Sequence, residues 1–213
     1  MASKIYKEIF SQSDINQLVR YFNLDVIPFQ KPQLINGKTQ CLDKGLDWDK
    51  PVSVVRSIVG PKLRNVLGRD FKFIVGSYKE SIIPYVPHID NNYLFRRANL
   101  IDDYDRSAEG VAFLIPLMED QRLMTITFDV YDEKYDMGED LHESWVTGHN
   151  DISVDEFGHL TENVRKDINK INVDQIFHWR MGDMLSWTRD QLHTSNDFQR
   201  HGIIKKFLIL HVV

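Results

Sequence analysis

The spacing of apolar residues changes period at about Phe71, and that change limits the folds open to this chain. Before it, apolar residues recur at helical spacing. Ile15, Leu18, Val19 and Phe22 form one stripe, and Val54, Val55, Ile58, Val59, Leu63, Val66 and Leu67 form a second. Ser13 or Ser11 can cap the first helix, which runs to about Phe22. The second spans about Val52 to Leu67, where Gly60-Pro61 predicts a kink or two consecutive helices and Gly68 a stop. Residues 24 to 50 read as irregular, with Pro28, Pro32 and a turn at Asn36-Gly37.

After Phe71 the period is that of strands. Phe71–Val75, Ser81–Tyr85, the doubly buried run Val111–Leu117 and the alternating Thr125–Tyr131 follow one another, the last with Ile126, Phe128 and Val130 on one face. Met184–Trp187 comes behind a Gly182-Asp183 turn, and Phe207–Val213 closes the chain. Between Asp132 and Phe177 lies a polar insertion with helical character at about Leu160–Lys170. Segments of that kind serve as substrate lids about as often as they serve as passive elaborations. Seven or eight short strands behind a helical front predict a mainly β, α+β fold with N-terminal helices, built on a double-stranded β-helix (a jelly roll, cupin-like). No alternation of strand and helix supports a doubly wound sheet. We read a single domain over residues 1–213, with a helical front at about 1–70, a core at about 71–213 and the insertion at about 132–177.

Composition narrows the function. A net charge of −5 argues against a broad basic surface for nucleic acid, so no nucleic-acid partner is expected. The single cysteine, Cys41, rules out an intrachain disulfide and a thiolate-rich zinc site, and fits a reducing compartment. The longest apolar run, Val111–Met118, is too short for a membrane-spanning helix, and the amino terminus lacks a signal-peptide core. A cytoplasmic protein without membrane association is expected. The front helices would suit a homodimer.

The chemistry-bearing pattern is His88-Ile89-Asp90, followed about a hundred residues later by His193. Residues i and i+2 of a strand project to one side, so His88 and Asp90 can reach one ion. Two imidazoles and one carboxylate can occupy one face of an octahedral ferrous ion and leave the opposite face open. His-x-Asp occurs twice, and the second copy, His149-Asn150-Asp151, sits in a polar stretch without strand character. Only 41 residues separate it from His193, too few for the intervening strands, so it reads as a loop turn. The other histidines, His211 within the last strand included, read as satisfied or exposed.

The stretches Pro87–Asp90, Val111–Leu117, Gly182–Trp187, Leu192–Ser195 and Lys205–Leu210, in that order, resemble the iron(II)- and 2-oxoglutarate-dependent dioxygenase superfamily. The resemblance implies Fe(II) held by His88, Asp90 and His193, with 2-oxoglutarate as cosubstrate and O2 as oxidant. It also implies a basic residue at the head of the last core strand to pair with the far carboxylate of 2-oxoglutarate. That residue is usually Arg; this chain offers Lys205-Lys206, and strand alternation turns only one inward. Lys205 is favoured, Lys206 follows, and Arg200 is third. Tyr78, Thr125, Thr127 and Trp187 are candidates to line the cosubstrate pocket, and Arg96 and Arg97 could address an anionic substrate group. The expected activity is hydroxylation of a small-molecule or peptide substrate. Halogenation is disfavoured, because Asp90 fills the place of a halide. Two alternatives stand beside it: a cupin-like metal-dependent isomerase or lyase, and a non-catalytic jelly-roll binding module. The former would more often bring further His or Glu ligands near the first pair, where this chain has Asn91 and Asn92.

Overall fold

The computed structural model describes residues 2–23, 28–30, 32–50, 52–90, 110–132 and 141–213. In chain order the strands are β1 (Lys4–Tyr6), β2 (Gln33–Ile35), β3 (Lys38–Gly45), β4 (Phe73–Ser81), β5 (Val111–Pro116), β6 (Met124–Tyr131), β7 (Val173–His178), β8 (Met184–Thr188), β9 (Gln191–Ser195) and β10 (Lys205–Val212). They form a large sheet in the order β1-β8-β5-β10-β4-β3-β2 and a small sheet in the order β7-β6-β9. Every pairing is antiparallel.

Alternation along the large sheet separates two kinds of surface. Tyr78, Phe113, Ile115, Met184, Leu208 and Leu210 face away from the small sheet and bury the apolar stripes of α1 (Gln12–Asn23) and α2 (Val54–Leu67). Ile15, Leu18, Val59 and Leu63 meet them there, each essentially without solvent contact. Burying one such side chain stabilises by about 1.5–3 kcal/mol, so this layer anchors the sheet on one side. The opposite face carries Ala112, Leu114, Leu185, Trp187, Phe207 and Ile209, packed with Phe177 and Trp179 between the sheets.

The insertion covers the far side of the small sheet. Leu141, Phe157, Leu160, Ile168 and Ile171 bury Ile126, Phe128, Val130 and Leu192. A short helix, α3 (Glu162–Ile168), belongs to this cover and is capped by Thr161. The described part of the insertion therefore packs as an outer layer on the small sheet, mirroring the helices on the large sheet. Residues 133–140 lie outside the described residues.

Local chemistry accounts for the element ends. Ser11 and Asp14 cap α1 reciprocally: the Asp14 N–H donates to Ser11 Oγ at 3.2 Å, and the Ser11 N–H donates to Asp14 Oδ2 at 2.9 Å. Ser53 caps α2, and Gly68 ends it with φ 67°, a left-handed conformation suited to glycine. Of the two outcomes expected at Gly60-Pro61, two consecutive helices are not formed: α2 is one helix with Pro61 inside. Buried Val55, Ile58, Val59 and Leu63 flank the proline on both sides, so packing outweighs the one lost hydrogen bond.

Two expectations need correction. Residues 24 to 50 are not irregular throughout, because β2 and β3 form a hairpin around Asn36 (φ 50°) and Gly37 (φ 74°). Two successive positive φ values give the turn whose twist suits a hairpin. The strand expected at Phe71–Val75 is instead longer and shifted, β4 over Phe73–Ser81, and the one expected at Ser81–Tyr85 does not form beyond Ser81. No helix among the described residues is long and apolar enough to cross a membrane.

Candidate metal centre

His88 lies beside β9 as a lone strand partner. The His88 N–H donates to the His193 carbonyl, and the His88 carbonyl accepts from the His193 N–H, both at 3.0 Å. In such a closely bonded antiparallel pair the two side chains emerge on one face. Asp90, two residues on, emerges on that face too, and its N–H is fixed to the Arg189 carbonyl at 2.9 Å. One ligating atom from each of His88, Asp90 and His193 lies within 4.8 Å of the others. This is the one such cluster among the described residues.

Both imidazoles are held in the tautomer a metal needs. His88 Nδ1 lies 2.8 Å from the Val86 carbonyl, and His193 Nδ1 lies 3.0 Å from the Gln191 carbonyl. With Nδ1–H donating to the backbone, Nε2 is left as a lone-pair donor pointing inward. Burial, and then the neighbouring His193, push the His88 pKa down to about 4, so it is neutral and able to ligate at ordinary pH. Burial works against the Asp90 charge, but His193, His211, His88 and the indole N–H of Trp187 together hold its carboxyl below the usual range. The donor set, two imidazoles and one ionised carboxylate, suits a divalent first-row transition metal.

The three residues line a cavity of about 450 Å3 between the sheets. Strand parity decides what else faces it. Lys205, Phe207, Ile209 and His211 alternate into the cavity from β10, opposite Ser81, Lys79, Ser77 and Val75 of β4. Lys205 is 4% exposed, its ammonium 4.2 Å from the Trp179 ring centroid and 5.0 Å from that of Phe198. Among the described residues no carboxylate forms an ion pair with it. Burial alone pushes its pKa down to about 7.

Several expected residues are not brought to the cavity. Lys206 projects to the other face of β10, 3.6 Å from Glu80, with its side chain 43% exposed. Tyr78 also lies on that face, its ring stacked on Phe22 at 4.7 Å and its hydroxyl donating to Glu80 at 2.6 Å. Thr127 is fully buried, with Oγ1 2.6 Å from Ser3 Oγ, and it is Thr125 that reaches the cavity wall. Arg200 binds Glu156 at 2.6 Å and does not line the cavity. His149 and Asp151 form an exposed contact at 3.2 Å and do not line the cavity. Arg96 and Arg97 lie outside the described residues.

The cavity also contains residues that sequence reasoning passed over. Lys79 faces it from β4, 3.4 Å from Asp43. His211, buried in β10, approaches Asp90 Oδ2 at 4.0 Å. Both share the inward parity of Lys205, His211 on the same strand and Lys79 on the adjacent one, the signal that could have found them.

No protein-family profile and no curated protein matches the sequence. Solved structures do match. SnoN, a non-heme alpha-ketoglutarate-dependent epimerase from nogalamycin biosynthesis, aligns over 100% of this chain and 77% of its own, with TM-score 0.62 and 9% identity. SnoK, a non-heme alpha-ketoglutarate-dependent carbocyclase from nogalamycin biosynthesis, covers 99% and 79%, with TM-score 0.61 and 10% identity. The chain has the double-stranded β-helix fold of these enzymes. EvdO2 from Micromonospora carbonacea var. aurantiaca is also similar, covering 99% and 85% with TM-score 0.58 and 12% identity. SnoN has further been solved with Fe3+, alpha-ketoglutarate and nogalamycin RO.

Proposed function

We propose that the chain is an Fe(II)- and 2-oxoglutarate-dependent oxygenase that hydroxylates a C–H bond of a small-molecule or peptide substrate. The observation that carries the reading is the meeting of two features in one cavity. A three-ligand metal cluster faces the same space as Lys205, a buried ammonium with no carboxylate partner among the described residues. A buried cation of that kind is costly unless an anion joins it. A dicarboxylate that also ligates the metal meets both requirements at once.

His88, Asp90 and His193 would hold Fe(II), and Lys205 would bind the far carboxylate of 2-oxoglutarate. With these and O2 bound, the centre supplies oxidative decarboxylation of 2-oxoglutarate to succinate coupled to oxidation of a C–H bond. The side chains bind and orient; none is required as a general acid or base. Leu114, Phe207 and Ile209 give the cavity an apolar wall that excludes water and strengthens the pairing of Lys205 with an anion. SnoN and SnoK, an epimerase and a carbocyclase, share this fold with different outcomes, so product analysis decides the hydroxylase part.

The test is anaerobic addition of Fe(II) and then 2-oxoglutarate. A weak visible charge-transfer band should appear with the wild-type chain and be missing in His193→Ala. Screening candidate substrates for stimulated succinate formation, with mass analysis for one added oxygen atom, then identifies the reaction. Absence of the band in the wild-type chain would remove the proposal.

A further inference from the structure

Asp90 has two carboxylate oxygens, and the structure treats them differently. Oδ1 is turned toward His193, 3.8 Å from its Nε2. Oδ2 accepts the indole N–H of Trp187 at 2.9 Å in a buried hydrogen bond. The same indole ring lies against the His193 imidazole, with centroids 4.6 Å apart and planes 43° apart. Trp187 therefore touches two of the three members of the metal cluster, one through its N–H and the other through its face.

The strand register explains how so large a side chain reaches this place. Trp187 stands opposite Ala112 of β5, the smallest residue on the inner face of that strand. Ala112 is also the partner of His211 on β10, so one small residue leaves space for two rings beside Asp90.

We propose that Trp187 is a positioning residue that reserves Asp90 Oδ1 for the metal and enforces one-oxygen ligation by the carboxylate. An indole N–H can only donate, and the bond it makes to Oδ2 ties that oxygen to the cavity wall and leaves Oδ1 as the one turned toward the cluster. Keeping Oδ2 off the metal leaves the open face free for a chelating cosubstrate and a further ligand. The ring against His193 restricts the imidazole from swinging out of that arrangement. The proposal rests on the metal-binding reading above, and its test separates the two.

Co(II) is the probe, added anaerobically to wild-type chain, Trp187→Phe and His193→Ala. Trp187→Phe keeps an aromatic ring and removes the N–H donor together with part of the indole ring. Its Co(II) dissociation constant should rise about 10- to 100-fold, the usual effect of removing a partner that orients a ligand. Its visible absorption should change in position and intensity as the carboxylate changes its mode, while the metal-free chain melts within a few degrees of wild type. Wild-type affinity and spectrum in Trp187→Phe would overturn the assignment. Failure of the wild-type chain to bind Co(II) would overturn the metal site itself.

A second readout needs no substitution. The chain has four tryptophans and hence four indole N–H signals in a 15N-labelled sample. Zn(II), which is diamagnetic, should shift one slowly exchanging signal that Asp90→Asn also moves. If no indole signal responds to Zn(II), the positioning role fails, even where Trp187→Phe does not fold.

Discussion

The backbones of His88 and His193 exchange two hydrogen bonds, both 3.0 Å long, so the metal-ligand geometry is built by strand pairing and does not wait for a metal. The Nδ1 contacts to Val86 and Gln191 then set ring orientation from each residue's own segment. The cluster is preorganised, and its loss should be separable from loss of the fold.

His193→Ala should accordingly abolish saturable Fe(II) binding while leaving a cooperative thermal transition. The backbone bridge to His88 does not depend on the side chain. Metal titration monitored by calorimetry, with a melting curve on the same sample, checks both halves.

Lys205 and Lys206 are adjacent in sequence and should behave oppositely. Lys205→Met removes a buried cation that faces the cavity, and truncating one partner of a buried charge pair costs about 3 kcal/mol, or roughly 100-fold in 2-oxoglutarate affinity. Lys206→Met loses only a half-exposed contact to Glu80, so the change should stay within about twofold. Measuring the 2-oxoglutarate dissociation constant of the two Fe(II)-loaded variants decides between the lysines.

The depressed pKa of Lys205, about 7 because of burial, gives cosubstrate binding a pH dependence of known sign. Below that value the ammonium is already charged and affinity should be flat on this account. Above it, binding an anion must take up a proton, so affinity should fall by up to about tenfold per pH unit. Lys205→Arg, which stays charged, should flatten the profile. The same depression from 10.5 means the unfolded chain binds more protons between the two values, so this group makes stability rise with pH across that window.

Phe128→Ala should destabilise the chain by about 3–5 kcal/mol without a direct effect on metal affinity. Phe128 has no solvent exposure and packs on the far side of the small sheet from the ligands. Denaturant unfolding gives the first quantity and Co(II) titration the second. A large loss of affinity at unchanged stability would contradict the layer arrangement.

The sequence showed its core most clearly where the inner and outer residues were both apolar or alternated cleanly. Val111–Pro116 is buried at every position, and Ile126, Phe128 and Val130 keep one face as their spacing required. The metal-ligand pattern was legible because His88 and Asp90 obey strand parity and His193 follows a turn at a readable distance. The hairpin was not legible, because β3 buries polar residues: Asp43 is bonded to Gln33 and Lys79, and Lys44 donates to the Phe22 carbonyl at 2.7 Å. Those partners are polar groups of β2, β4 and the end of α1, so hydrophobic spacing gives no sign of the strand. Tyr78 misled for a related reason, since β4 continues unbroken to Ser81 and parity turns its ring outward to Phe22. β1, three residues long, is too short to carry a period at all.

Phe157, Leu160 and Ile168 lie behind the small sheet, on the opposite side from the imidazoles, and hold Ile126 and Leu192 in place. What selection asks of that stretch is thus a dry backing for a β-wall, a demand that many different side chains satisfy. Substitutions accumulating there would alter how long the molecule survives heating well before they altered which compound it accepts.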